Sequence, residues 1–384
     1  MMSSSLLLYD SAFLVVAFLA TVVFIPPCSG FAGAGRYHLP FVRQLSDGHF
    51  SGSNWYSVLH STKQNENDGR EELLCAAVLV PGFLTGAAEF QPLCQTLTER
   101  GLPTVAVPMP NWHWIPCLGG RSARPILERI DFTVKHLIAN DGDVTKIPKF
   151  DYSLWDTWID FRNNPGGILQ VGGSSRVDDY PVVEPRGKFP PPENLPNKKV
   201  ALIGHSAGGW ISRVYLSTRE YGGKAYCGSN YIHSLITLGT PHGDAPGPAF
   251  EGVKWINAEE VPVRALSVAG TGFKGGDWGR LTQGSYSFCC PEGSDGTGYD
   301  GDGVTPAFSS LAMPGSEQLL VEDVSHFCWS DVFGGSLFAP ELTEDHKSGR
   351  AWYGTDEIVD QWASFVLDHV PQCKIRLEKI DIVV

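Results

Sequence analysis

The stretch that most constrains this chain is residues 199–210, KVALIGHSAGGW. Four apolar residues, Val200 to Ile203, form a short run suited to a parallel strand buried on both faces. A turn, Gly204-His205-Ser206-Ala207-Gly208, follows, and Trp210, Ile211, Val214 and Tyr215 then recur at helical spacing. Strand, G-x-S-x-G turn and helix in that order predict a nucleophile elbow, with Ser206 on a strained backbone and its hydroxyl clear of the sheet. Glycines two residues either side let strand and helix pass without a clashing Cβ. The plainer alternative is a tight turn in which Ser206 caps the helix. The elbow stands only if the rest of the chain supplies a base, an acid and an oxyanion hole.

At 384 residues the chain is long enough for one large α/β domain with insertions, or for two domains. Its formal charge of −13 argues against nucleic acid as a partner, because nucleic-acid binding needs a basic footprint. It also gives no attraction to anionic lipid surfaces. Peripheral membrane contact is left open, and the oligomeric state is not set by the sequence. Residues 1–30 are expected to lie outside the fold. Positions 11–25 are nearly all apolar and lead into Pro26, Pro27 and the small residues Cys28, Ser29 and Gly30, the layout of a signal segment and its cleavage site. No Lys or Arg precedes the run, and the alternative is a membrane anchor over residues 6–25. Phe31 resembles the aromatic residue at that point of two-part plastid-targeting sequences, so the expected destination is the secretory pathway or a plastid. Eight cysteines remain beyond Cys28, an even number that suits disulfides in an oxidising compartment, although several lie in apolar runs where free buried cysteine is common. No zinc-type C-x-x-C pair occurs, and no metal is expected.

After an extension over residues 31–70, a continuous apolar run, LLCAAVLV (73–80), predicts a strand that turns at Pro81-Gly82. Phe90, Leu93 and Leu97 then mark a helix, closed by Gly101, and PTVAV (103–107) a second strand, completing a βαβ unit. Ser122 and Pro125 signal the start of a helix with Ile126, Ile130, Val134 and Leu137 on one face. Residues 141–197 are rich in Pro and Gly and contain Trp155, Trp158 and Phe161. So long an insertion is either a floppy segment or a lid over the site. Beyond the elbow, YIHSLITL (231–238), VRALSVA (263–269) and QLLVEDV (318–324) predict further strands. Thr355 is expected to cap a last helix bearing Ile358, Trp362, Phe365 and Val366, and residues 373–384 form a tail. Strands alternating with helices predict a mostly parallel sheet covered on both faces over residues 71–372.

A serine hydroxyl attacks well only when a base takes its proton, and the base must be held in one tautomer by a carboxylate. Of the histidines after the elbow, His326 lies just beyond a predicted strand, at the carboxyl edge of the sheet where ligands meet α/β folds. His233 falls inside a strand, His346 in a charged loop and His369 at a helix end. The segment before His326 offers Asp277, Asp295, Asp300 and Asp302. Asp302, set between glycines and followed by Val304-Thr305-Pro306, is the preferred acid, with Asp300 next. The order Ser206, Asp302, His326 is that of α/β-hydrolases. The expected oxyanion donors are the amides of Ala207 and Phe83, with Leu84 the alternative to Phe83.

Taken together, the segments GHSAGG (204–209), TLGTPHG (237–243), GDGV (301–304) and VSH (324–326) resemble the α/β-hydrolase lipases and esterases. The Thr-Pro-His segment is similar to that of bacterial lipases and of the GPI inositol-deacylase-like hydrolases. The likeness runs from about Leu73 to Val370. Pro81-Gly82 departs from it, since many lipases carry His-Gly in the oxyanion turn. The resemblance implies that His205 is not the base and that His242 packs beside the elbow. The expected activity is hydrolysis of carboxylic esters, with a small acyl ester or lipid as substrate and no cofactor. An acyltransferase on the same residues, or a catalytically silent scaffold of this fold, is the alternative.

Overall fold

The computed structural model describes residues 73–83, 85–109, 114, 123–148, 191–221, 224–245, 250–276, 285–291, 293–327 and 350–368. The chain divides into two units, Met1–Glu71 and Glu72–Val384, and every described residue belongs to the second. The expected leader, anchor and extension, most of the insertion (149–190), and the tail lie outside the described residues.

The apolar run 73–80 forms β1 (Leu73–Val80), followed by α1 (Gln91–Glu99) and β2 (Thr104–Ala106). Next come α2 (Arg124–Ala139), β3 (Lys198–His205), α3 (Ala207–Leu216) and β4 (Ile232–Leu238). Then follow α4 (Glu251–Asn257), β5 (Arg264–Gly270), the two-residue strands β6 (Phe273–Lys274) and β7 (Asp300–Gly301), and α5 (Ala307–Ser310). The described chain closes with β8 (Glu317–Val321), β9 (Val324–Ser325), β10 (Ala351–Trp352) and α6 (Asp356–Leu367). Six strands make one sheet in the order β2-β1-β3-β4-β5-β8, and every neighbouring pair is parallel. β6 pairs antiparallel with β7, and β9 runs parallel to β10.

Side chains alternate across this sheet and divide the core in two. Val200, Leu202 and Leu235 pack on one face with Ile126, Ile130 and Val134 of α2, Ile211 of α3 and Val253 of α4. Ala201, Ile203 and Ile236 pack on the other with Leu93 and Leu97 of α1 and Ile358, Trp362 and Val366 of α6. Burial on both faces explains why β1 and residues Val200 to Ile203 of β3 read as unbroken apolar runs, and the architecture is a parallel sheet covered by helices on both faces. α2 departs from a simple amphipathic helix, since Arg124, Glu128, Arg129 and Asp131 are buried too. They are paired: Glu128 meets Arg124 at 3.1 Å and Lys224 at 2.8 Å, Asp131 meets Lys135 at 2.9 Å, and Arg129 donates to the Pro108 carbonyl.

Two local expectations differ from the structure. The run 318–324 is not one strand: β8 stops at Val321, Asp323 adopts a left-handed φ of 54°, and β9 sets out in a new direction. His326 directly follows β9, and its N–H donates to Asp302 O at 2.9 Å. Thr355 occupies the N-cap of α6, but its Oγ1 accepts from the Trp352 amide and not from the helix. Cys75, Cys94, Cys227, Cys289 and Cys290 are free thiols, and Cys117, Cys328 and Cys373 lie outside the described residues.

Candidate active site

Ser206 sits at the end of β3 and in the N-cap position of α3, yet its side chain makes no capping hydrogen bond. Its backbone, at φ 51° and ψ −131°, is a conformation that costs a residue with a Cβ on the order of 1–3 kcal/mol. A helix cap needs no such strain, so the simple capping alternative fails. The bend is fixed by Ser206 N–H donating to Leu238 O at 2.9 Å and Gly209 N–H donating to Ser206 O at 2.9 Å. A Cβ on Gly204 would run into the Gly209 backbone, and one on Gly208 into the Val80 carbonyl. Ser206 is 8 % exposed, at the carboxyl edge of the sheet.

Asp302 and His326 come together in the same place. His326 Nδ1 lies 2.7 Å from Asp302 Oδ2, and both side chains are buried. The two residues are tied a second time where His326 N–H donates to Asp302 O at 2.9 Å. A carboxylate can only accept, so the proton sits on Nδ1 and Nε2 keeps its lone pair. That Nε2 is buried and makes no hydrogen bond among the described residues. The His326 ring lies beside the elbow, 4.7 Å between centroids from His205, the neighbour of Ser206. Ser206 Oγ and His326 Nε2 do not themselves form a hydrogen bond here, a looseness common in sites without substrate.

Four donors saturate Asp302. Oδ1 accepts from Val304 N–H at 3.0 Å and Thr305 N–H at 2.7 Å, which is how the Val-Thr-Pro segment anchors the loop. Oδ2 accepts from His326 Nδ1 at 2.7 Å and from Tyr353 OH at 2.8 Å. Asp300, the competing acid, is turned elsewhere: its Oδ1 accepts from Gly272, Phe273 and Gly301 amides and holds β6 to β7. Asp295 is exposed and accepts from the Thr297 amide. Asp277 lies outside the described residues.

Gly239 shows how tightly the cluster is drawn. Its φ is 58°, and a Cβ there would meet Asp302 Oδ2, with His326 Nδ1 and the Tyr353 ring both at 2.9 Å. Gly239 directly follows Leu238, whose carbonyl holds the Ser206 amide, so the elbow and the Asp302–His326 pair share one wall.

The expected oxyanion donors flank this point. Ala207 opens α3, where an N–H has no intrahelical acceptor and the helix dipole favours negative charge. The turn carrying Phe83 packs on the elbow: a Cβ on Gly82 would sit 2.8 Å from Ser206 Cβ and 2.7 Å from His205 Nδ1. Thr85 closes that turn through two bonds to Gly82 O, of 3.0 and 2.6 Å, and the Phe83 ring meets Trp114 edge-on at 5.6 Å. Leu84 lies outside the described residues.

The remaining histidines have other partners. His205 Nε2 donates to the His326 carbonyl at 2.8 Å, and burial with His326 alongside holds its pKa well below the usual imidazole value. His242 accepts at Nδ1 from Arg213 at 3.2 Å and bonds Thr237 Oγ1 through Nε2 at 3.1 Å. It thus joins α3 to β4 as a neutral, buried group, its pKa lowered by burial and then by Arg213. His233 lies half-buried in β4, and His346 and His369 are outside the described residues. The sequence pattern missed Tyr353 and Tyr286, the latter donating to Phe273 O at 2.7 Å and accepting from Gly303 N–H at 3.0 Å.

Comparison with known proteins adds a match on this same region. Residues 192–253, which carry β3, the elbow, α3 and β4, match a family model described as a PGAP1-like alpha/beta domain. Among solved structures, the chain is similar to a monoacylglycerol lipase from Paleococcus ferrophilus, at 12 % identity over 72 % of this chain and 96 % of that one, with a TM-score of 0.33. It is also similar to the thermophilic esterase Est2 from the Planctomycetes species Thermogutta terrifontis, at 10 % identity over 77 % of this chain and 85 % of that one, with a TM-score of 0.32. No curated protein sequence matches the chain.

Proposed function

We propose that the protein is a serine hydrolase of carboxylic esters in which Ser206, His326 and Asp302 form the catalytic triad. One observation carries this reading: His326 is held through Nδ1 by a buried Asp302 and leaves Nε2 unpartnered, and its ring packs 4.7 Å from that of His205, which directly precedes a serine on a strained, non-capping elbow. Ser206 Oγ attacks the ester carbonyl while His326 Nε2 takes its proton. Charge grows on the carbonyl oxygen, which the Ala207 and Phe83 amides receive. The imidazolium returns the proton to the departing alcohol, leaving an acyl group on Ser206. Water then attacks, again deprotonated by His326, and the acid leaves with Ser206 restored. Asp302 keeps the ring oriented and offsets the imidazolium charge in both halves.

The substrate class proposed is lipid acyl esters, supported by Trp155, Trp158 and Phe161 of the insertion and by the lipase-like motifs. Residues 1–30 are proposed as a leader to the secretory pathway or a plastid, which N-terminal sequencing of the mature protein checks. The test of function is hydrolysis of monoesters of graded chain length, phospholipids and galactolipids by the purified protein and by Ser206→Ala. Release of fatty acid by the first and not the second is expected. Equal rates from both, or no turnover of any ester by folded protein, would overturn the proposal.

A further inference from the structure

We infer that Tyr353 is a positioning residue of the active site, the fixed donor that holds Asp302 Oδ2 in line with His326. The inference rests on the proposed triad and adds a member that no local motif announces. It starts from the smallest ladder in the molecule. β9 and β10 pair in parallel with Val324 opposite Ala351 and Ser325 opposite Trp352, so the next residues on each strand are His326 and Tyr353. The two side chains leave that ladder at the same level and converge on one oxygen atom, from 2.7 and 2.8 Å. Ser325 Oγ donating to Ala351 O at 3.1 Å reinforces the ladder.

The phenol is fixed at three further points. Its oxygen accepts from Gly270 N–H at 2.8 Å, at the end of β5. Its backbone carbonyl accepts from Trp362 Nε1 of α6 at 2.9 Å, and its ring packs where a Cβ on Gly239 would be. Because the oxygen already accepts from Gly270, the hydroxyl proton is aimed at Asp302, and that bond has one geometry. Two donors on one carboxylate oxygen share its negative charge. Tyr353 therefore fixes the carboxylate's direction and tempers how strongly Asp302 draws a proton onto His326. The titratable groups that face this cluster are His205, Tyr286, Cys289 and Asp300. His205 is held neutral, and burial with Asp302 nearby pushes Tyr286 and Cys289 upward, so these three stay uncharged near neutral pH.

The test is Tyr353→Phe, which keeps the ring and deletes the donor, assayed beside Ser206→Ala and Asp302→Asn on one ester. The expected result is a kcat lower by about tenfold with KM within about twofold, because an interaction felt mainly in the transition state is removed. The acid limb of the kcat/KM profile should also move to higher pH, since His326 then faces a less tempered carboxylate. A purely structural tyrosine would lower the thermal midpoint without moving that limb. Site-specific 3-fluorotyrosine at 353, a stronger donor of nearly the same shape, should move the limb the opposite way, and it decides the matter if the Phe variant does not fold. Dead Ser206→Ala and Asp302→Asn beside an unmoved limb in the Tyr353 variants would overturn the inference and leave the triad standing. Full activity in Ser206→Ala would instead overturn the triad itself.

Discussion

Replacing Asp302 by Asn changes one atom and should cost most of the activity, for a reason the hydrogen bonds spell out. Four donors point at this side chain: the Val304 and Thr305 amides at Oδ1, and His326 Nδ1 and Tyr353 OH at Oδ2. An asparagine supplies one oxygen and one NH2 group. If the NH2 replaces Oδ1 it opposes two buried amides, and each donor left unsatisfied costs about 1–3 kcal/mol. The amide oxygen is therefore expected to stay with Val304 and Thr305, which puts the NH2 group against His326. His326 must then accept at Nδ1 and carry its proton on Nε2, the tautomer that cannot deprotonate Ser206. A change of this kind in a Ser-His-Asp triad costs about 10⁴ in kcat. That is on the order of 5 kcal/mol of barrier, far beyond any loss of simple packing. The assay is steady-state hydrolysis of a chromogenic short-chain ester, with thermal unfolding followed on the same samples. A folded Asp302→Asn within tenfold of the parent kcat/KM would refute the argument, because His326 would then owe its orientation to something else.

Other predictions follow from the same contacts. Gly239→Ala places a methyl group against Asp302 Oδ2 and His326 Nδ1 at a left-handed φ, so activity should fall at least a hundredfold while the circular dichroism spectrum is kept; near-parental turnover would contradict the shared wall described for Gly239. His205 and His242 are buried with pKa values held well below that of the unfolded chain, so the unfolded state takes up protons first as the pH falls. Stability is thus complete above the unfolded value near 6.5 and is lost below it, by up to about 3 kcal/mol per pH unit for the pair. Urea titrations between pH 7 and 5 should show this slope, roughly halved in His242→Gln; a flat profile would mean that these rings are protonated in the fold. Burial pushes the Cys75 thiol up to about 11 and the Cys94 thiol up to about 12. Both should resist iodoacetamide at pH 8 in native protein and react in denaturant, as followed by mass spectrometry; native labelling would contradict the packing of β1 and α1.

What could be read in the sequence follows from how local each signal is. The β3–elbow–α3 unit is a continuous stretch whose apolar run, glycines and helical spacing all refer to one another, and the structure forms it at those residues. His326 was found because it follows an apolar run, although that run proved to be β8, a left-handed turn at Asp323 and β9. The choice between Asp300 and Asp302 is harder, since both stand in the same glycine-rich stretch and differ only in which amides the folded loop turns towards each. Tyr353 gives no signal at all: it meets Asp302 across 51 residues, through a two-residue ladder too short to have a period. Burial of charged groups on α2 is likewise invisible locally, because Glu128 is satisfied by Lys224 and Tyr226, nearly a hundred residues away.

The central claim is that Ser206 is a nucleophile activated by His326. A fluorophosphonate probe with peptide mapping tests it most directly, applied to the parent protein, Ser206→Ala and His326→Ala. The account predicts one covalent adduct, on the peptide carrying Ser206, absent from Ser206→Ala and formed at least a thousandfold more slowly in folded His326→Ala. An adduct at another residue, or undiminished labelling of Ser206 without His326, would contradict it.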